Sequence, residues 1–272
     1  MSADGVALEE ISAIARAAGE AVMGVYAGAF AVQSKDDGSP VTEADRRSED
    51  VILARLERIA PGIPIVSEES AAANGQQRVL ADAGGPARGV FWLVDPLDGT
   101  KEFVSRNGEF TVNIALIEHG APVLGVVFAP AIERLFAASA GSGAVIEDSG
   151  GRRPVAARAT PSEGATVVSS RSHGDAEALA RFTAGRKIAA AITAGSSLKF
   201  CLVAAGQADL YPRFGCTMEW DTAAGDAILR AAGGTVTDLG GKLLMYGKPG
   251  FENPHFVAYG RGPVMSASAL AG

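Results

Sequence analysis

Val90-Phe91-Trp92-Leu93-Val94-Asp95-Pro96-Leu97-Asp98-Gly99-Thr100 is the stretch from which the fold is read. Its first five residues are apolar, rich in aromatic and β-branched side chains, and fit a strand buried on both faces. The strand ends in acid. Asp95 and Asp98 flank Pro96 and Leu97, so a stiffened turn can aim two carboxylates and one backbone carbonyl at a common point. Such an oxygen-only donor set suits a hard cation such as magnesium. Gly99 lets a ligand approach the main chain, and Thr100 with the following amides can open a helix whose N-terminus takes a phosphate. The same spacing also fits a solvated turn closed by an Asx bond. Its place at the C-terminal edge of a buried strand, where α/β proteins hold ligands, favours the site reading.

Upstream, Ile63 to Val66 predicts a short strand that delivers Ser67-Glu68-Glu69, a second acidic pair at a strand end. Leu8, Ile11, Ala15, Ala18, Val22 and Val25 recur at three- and four-residue steps, which predicts an amphipathic helix over residues 7 to 27. A strand from Phe30 to Ser34 leads into the turn-rich segment Lys35 to Pro40. Thr42 then caps a second helix that stops before Pro61-Gly62. Asp45 lies three residues into that helix, where it could serve a site or simply complement the helix dipole. Residues from Ala71 to Gly89 read as a loop with some helix.

Downstream, Phe110 to Ile117, Pro122 to Phe128 and Arg134 to Ala138 predict consecutive strands of an antiparallel meander, divided by turns at His119-Gly120 and Pro130-Ala131. The Gly- and Arg-containing segment from Gly141 to Arg158 marks a division near residue 155. This gives an α+β half over 1–155 that carries the acidic site and an α/β half over 156–272 that completes it. The second half alternates strands near 166–169, 188–192 and 208–211 with helices over 175–183 and 196–205. Asp221 to Ala232 is a further helix closed by Gly233-Gly234, and short strands near Val236 and Val257 finish the unit. Asp221 follows Trp220 and fits either a helix N-cap or a site ligand, with the small residues Thr222 to Gly225 leaving room beside it.

A chain of 272 residues, 47% hydrophobic, is long enough to bury a large core. Its formal net charge of -7 and lack of a Lys/Arg run argue against a protein that grips a nucleic-acid polymer. Small anionic substrates stay open, because bound cations reverse the local field. Cys201 and Cys216 are too few for a disulfide framework and fit reduced thiols in the cytoplasm. The start MSADGVALEE lacks a signal-peptide pattern, and no stretch approaches the ~20 apolar residues of a transmembrane segment.

Asp45, Glu68-Glu69, Asp95 to Thr100, and Trp220-Asp221 followed after eleven residues by Gly233-Gly234 form an ordered set. This set resembles the lithium-sensitive, magnesium-dependent phosphatase superfamily that includes inositol monophosphatases, inositol polyphosphate 1-phosphatases, fructose 1,6-bisphosphatases and bisphosphate nucleotidases. The resemblance spans essentially the whole chain and implies a layered α-β-α-β-α sandwich, an α+β or α/β fold. It implies Glu69, Asp95, the Leu97 carbonyl, Asp98 and Asp221 as ligands of two or three Mg2+ ions, with Asp95 bridging two of them and Glu68 in support. It further implies that Asp45 and the Thr100 hydroxyl orient or deprotonate the attacking water. The amides of Gly99 and Thr100 would hold phosphate oxygens, and Glu69, Leu97, Asp98 and Asp221 would line the phosphate site.

After Gly99-Thr100 the chain reads Lys101-Glu102-Phe103-Val104, and this run resembles the bacterial bisphosphate nucleotidases rather than the inositol monophosphatases. Residues Arg106 to Asn113, Gly195 to Phe200 and Leu210 to Gly215 are similar to that subfamily too. The similarity implies hydrolysis of the 3'-phosphate of adenosine 3',5'-bisphosphate, with 3'-phosphoadenosine 5'-phosphosulfate as a further substrate and a place in sulfur metabolism. A monomer or homodimer is expected. His173, Ser196, Lys199 and Arg213 match positions that contact nucleotide in the subfamily, and Arg can fork onto the remote phosphate. On local grounds Lys199 could equally be a solvated helix residue, Arg213 a surface ion pair and His173 an ordinary loop histidine. Cys216 departs from the subfamily, which usually has Pro there. Competing readings are an inositol monophosphatase or fructose 1,6-bisphosphatase, or, in a different class, a noncatalytic metal-dependent ligand sensor.

Overall fold

The computed structural model describes residues 7–34, 40–74, 89–171 and 175–262. Helix α1 (Leu8–Tyr26) carries Glu9 and Glu10 in its first turn, where they complement the helix dipole, and buries Ile11, Ala15, Ala18 and Val22 along one face. Strands β1 (Val32–Ser34) and β2 (Pro40–Thr42) pair antiparallel and lead into α2 (Glu43–Ile59). The start of α2 is a full capping box. The Ala44 amide donates to Thr42 Oγ1 at 3.1 Å, and the Thr42 amide and hydroxyl donate to Asp45 Oδ2 at 2.7 and 2.9 Å.

Seven strands form the first sheet in strict chain order: β3 (Ile65–Ser67), β4 (Val90–Asp98), β5 (Thr111–Glu118), β6 (Ala121–Ala129), β7 (Arg134–Ser139), β8 (Gly143–Asp148) and β9 (Gly151–Val155). All neighbours pair antiparallel except β3 and β4, which run parallel. The meander therefore extends two strands further than the sequence pattern predicts. The hairpin β8–β9 occupies the Gly- and Arg-containing segment because β9 is an edge strand, Gly-Arg-Arg-Pro-Val, that lies almost wholly in solvent. It has no buried face to generate an apolar alternation, and its arginines protect the edge. Two short helices, α3 (Glu68–Asn74) and α4 (Thr100–Val104), follow β3 and β4 directly.

The second sheet has five strands in the order β11-β10-β12-β14-β13, from β10 (Ala165–Ser170), β11 (Ile188–Ala194), β12 (Leu210–Arg213), β13 (Thr235–Asp238) and β14 (Phe256–Tyr259). Around it lie α5 (Ala176–Thr183), α6 (Leu198–Ala204) and α7 (Glu219–Ala231). Side-chain alternation sorts these elements into layers. Trp92, Val94, Ile114, Leu116 and Val126 point from one face of the first sheet onto α1 and α2. Phe91, Leu93, Ala115, Val127 and Phe136 point from the other face onto α6 and α7, which also cover Val168, Val236, Phe256 and Ala258 of the second sheet. The far face of that sheet, through Val167, Leu210 and Val257, packs on Phe182 and Leu179 of α5. The order is α-β-α-β-α, as the resemblance implies.

Helix α7, with α6, lies between the two sheets and packs on both. It lies so close to β6 that a Cβ added at Gly125 would stand 2.5 Å from the Ala224 carbonyl oxygen, so the approach requires glycine. Polar anchors then fix its rotation. Asp226, fully buried, accepts both Arg230 donors at 2.8 Å and the Tyr246 hydroxyl at 2.9 Å, while Arg230 also donates to the Leu244 carbonyl at 2.7 Å. Glu219, the first residue of the helix, accepts the amides of Gly247 and Lys248 at 2.6 and 2.9 Å. Asp226→Ala leaves Arg230 and Tyr246 without this acceptor and is expected to lower unfolding free energy by about 3–5 kcal/mol. Urea denaturation checks this through a lower midpoint at an unchanged slope.

Candidate active site

The acidic residues read from the sequence converge because of one pairing. Strands β3 and β4 are parallel, with Ser67 opposite Val94, so Glu68 and Asp95 leave the sheet side by side at the same edge. Strand β4 does not stop at Val94: it continues through Asp98, with the pairing to β5 slipping between Asp95 and Asp98. Such an irregularity re-aims side chains at the end of a strand. The Leu97 amide donates to Asp95 Oδ1 at 3.1 Å, which is the expected Asx bond. The turn is not solvated, however: Asp95 is 1% exposed. Ser48 of α2 donates to the Pro96 carbonyl at 2.7 Å and braces the turn from the other side.

Gly99 adopts φ +87, a left-handed conformation that glycine takes without strain, and starts α4 at Thr100. The Thr100 hydroxyl lies 3.3 Å from the Leu97 carbonyl and 3.5 Å from Asp45 Oδ1. Asp45 thus has one oxygen engaged in the capping box of α2 and the other turned toward Thr100. Its role in the helix start and its place at the site coexist. Glu68 and Glu69 are half-buried in the first turn of α3.

From the C-terminal half, α7 brings Asp221 to the same place. Asp221 is not the N-cap; it is the third residue of the helix and accepts the Met218 amide at 2.9 Å. Crowding by protein raises its pKa well above the usual carboxylate range, with the charges of Asp98 and Glu68 adding to the effect. Desolvation raises Asp98 as well, opposed by the ammonium of Lys199 and by bonds from Ser197 and Asn113. Among the described residues no three His, Cys, Asp or Glu side chains stand as a ready-made metal cage. What is gathered is a set of partly desolvated carboxylates that repel one another. A divalent cation relieves that repulsion, and the oxygen-only donors fit a hard ion.

The expected nucleotide-side residues are placed unevenly. His173 lies outside the described residues. Lys199 is not a solvated helix residue: it is 4% exposed, its ammonium donates to the Ser196 carbonyl, and burial holds its pKa down to about 8. Arg213 is not a surface ion pair either; it is buried on β12, donates to the Cys216 carbonyl at 3.0 Å and faces Asp221. Ser196 sits at φ +43 with its hydroxyl buried and without a hydrogen-bond partner among the described residues. Cys216 is exposed, and desolvation together with the neighbouring Glu252 carboxyl raises rather than lowers its thiol pKa, which disfavours the thiolate.

Three contributors escape sequence reasoning. Asn113 and Ser197 bond to Asp98, and Glu109 accepts both Arg171 donors at 2.8 and 2.9 Å together with the Gly195 amide at 2.8 Å. The bonds from Arg171 hold the Glu109 carboxyl below its usual range. Asn113 has a legible signal, a polar residue inside an otherwise apolar strand. Ser197 and Glu109 have none, since their partners are remote in sequence.

Residues 6–266 match the inositol monophosphatase family. Over 256 residues the chain is 48% identical to the 3'(2'),5'-bisphosphate nucleotidase CysQ of Escherichia coli K12, covering 92% of this chain and 98% of that protein. The CysQ protein of Salmonella typhimurium is 49% identical over the same shares. Among solved structures, CysQ from Bacteroides thetaiotaomicron superposes with a TM-score of 0.77 at 36% identity, covering 94% of this chain and 97% of that one. With the layered fold and the acidic edge of β3 and β4 in place, these matches establish that the chain belongs to the inositol monophosphatase family, a family of metal-dependent phosphatases.

Proposed function

We propose that this protein is a magnesium-dependent 3'(2'),5'-bisphosphate nucleotidase that converts adenosine 3',5'-bisphosphate to AMP and phosphate, in a cytoplasmic setting linked to sulfur metabolism. The observation that carries the reading is the juxtaposition of Asp98 and Asp221 with two buried cations, Lys199 and Arg213, near enough for their charges to act on the acids. The acids suit a metal-assisted phosphate, and the neighbouring cations suit a second anionic group on the same substrate. The matched CysQ proteins bear the name of this activity.

Glu69, Asp95, the Leu97 carbonyl, Asp98 and Asp221 would hold the magnesium, with Glu68 supporting them. When bound, the ions supply neutralisation of phosphate charge and a more acidic water for in-line displacement. Thr100 sits between the Leu97 carbonyl and Asp45, so its hydroxyl can take a hydrogen bond from the attacking water while passing its own proton toward Asp45 Oδ1. The capping-box bonds to Asp45 Oδ2 keep the carboxylate oriented for this. The amides of Gly99 and Thr100 would meet phosphate oxygens, and Ser196, whose buried hydroxyl has no hydrogen-bond partner among the described residues, would meet the rest of the substrate.

A panel of adenosine 3',5'-bisphosphate, 3'-phosphoadenosine 5'-phosphosulfate, inositol 1-phosphate and fructose 1,6-bisphosphate, each with and without magnesium, tests the assignment. The expected result is the highest kcat/KM for the adenosine bisphosphate and negligible turnover without the ion; preference for inositol 1-phosphate would overturn it. Asp95→Asn and Asp221→Asn keep size and the capacity to accept the Leu97 and Met218 amides, so both should fold. Each is expected to lower kcat by about 10²- to 10³-fold, on the scale of removing one transition-state charge partner. Full magnesium-dependent activity in either variant, measured beside an unchanged circular-dichroism spectrum, would defeat the metal reading. Lithium titrated at fixed magnesium is expected to inhibit, with indifference counting against the role given to these ligands.

A further inference from the structure

We infer that Ser197 and Asn113 form a positioning pair that fastens Asp98 to the start of α7 and thereby sets how tightly the acidic cluster holds a divalent cation. The inference rests on the metal-dependent reading above. Ser197 lies just before α6, 2% exposed, with its hydroxyl oxygen 2.8 Å from Asp98 Oδ2 and 2.8 Å from the Asp221 carbonyl oxygen. Both are acceptors, so the single hydroxyl proton serves one of them at a time. Asn113, 1% exposed on β5, donates from Nδ2 to Ser197 Oγ at 2.8 Å and to Asp98 Oδ2 at 3.3 Å. One hydroxyl and one amide therefore join β4, β5, α6 and α7.

The orientation of the Asn113 amide follows from its neighbours. Its oxygen in place of Nδ2 would face the Asp98 carboxylate, acceptor against acceptor, so the nitrogen must point there. The consequence is that Asn113 Oδ1 is buried with no hydrogen-bond partner among the described residues. An unsatisfied buried acceptor is destabilising, and its neighbours along β5, Val112, Ile114 and Ala115, are apolar and buried. An asparagine is thus tolerated in this strand for its donor side. The side-chain bonds that the pair gives to Asp98 fall on Oδ2, so they hold the carboxylate from that side. A carboxylate held through one oxygen presents the other in a defined direction, which is what a supporting partner gives a metal ligand.

The test is calorimetric titration of magnesium, and of manganese as a second probe, into metal-free wild type and Ser197→Ala. Removing such a supporting bond is expected to weaken cation binding by about 10- to 100-fold. The magnesium concentration for half-maximal hydrolysis should rise by the same factor, while KM for substrate at saturating magnesium stays near the wild-type value. Asn113→Ala should act in the same direction, and the double variant should be little worse than either single one, because the two residues act through one bond system. Should Asn113→Ala fail to fold, Ser197→Ala alone decides. Unchanged cation affinity in Ser197→Ala, even with a lower melting temperature, would reduce Ser197 to a structural residue and overturn the inference. Wild type that binds neither ion would overturn it together with the metal reading. Wild type that binds the ion but hydrolyses no nucleotide bisphosphate would sink only the substrate assignment, leaving this comparison to stand on its own.

Discussion

Mutual repulsion among partly desolvated carboxylates is the constraint around which this protein is organised. Asp98 and Asp221 come from distant parts of the chain and raise the cost of each other's ionisation. Packing must hold them together against that repulsion, and the layered fold supplies the force. Helix α7 is pressed into the sheet at Gly125 and locked by Glu219 and Asp226 into the segment 244–248. The strength needed to assemble the site is placed in polar and steric contacts remote from it, so the acids themselves need not stabilise the fold.

The same constraint explains the neighbourhood of Lys199. A buried ammonium is unfavourable by itself, and burial accordingly depresses its pKa. Next to Asp98, Glu102 and Glu109 it becomes tolerable, because the acids partly offset its loss of hydration. Charge of each sign thus makes the other possible, and the loop 194–197 is held between them through the Ser196 carbonyl and the Gly195 amide.

Much of this was legible in the sequence where the determinants are local. The apolar run before Asp95, the Thr42 cap with Asp45, and the meander after Phe110 all depend on neighbours within a few residues, and each element stands where the pattern puts it. Asp221 was legible as a residue at a helix start, but not as the third position rather than the cap. The β8–β9 hairpin was hidden because its outer strand lies almost wholly in solvent, leaving no apolar alternation to mark it. Asn113 stood out as a polar residue in an apolar strand, but its partners, and the bonds through Ser197 and Glu109, could not be read. They depend on partners brought together by the layering of two sheets, and no local spacing encodes that. Lys199 and Arg213 show the converse: their residue types suggested solvent, and tertiary burial decided otherwise.

Ser197 and Asp98 are separated by 99 residues along the chain, and the helix that carries Asp221 follows later still. Contacts across such separations form late, because the loops that connect them must first be closed. During synthesis the first sheet can pair strand by strand as it emerges, exposing the acids that follow β3 and end β4 to water with nothing yet opposite them. The acidic cluster is complete only once α7 lies against Gly125. A partly made chain, however well paired its first sheet, lacks Asp221 and with it one wall of the acidic cluster.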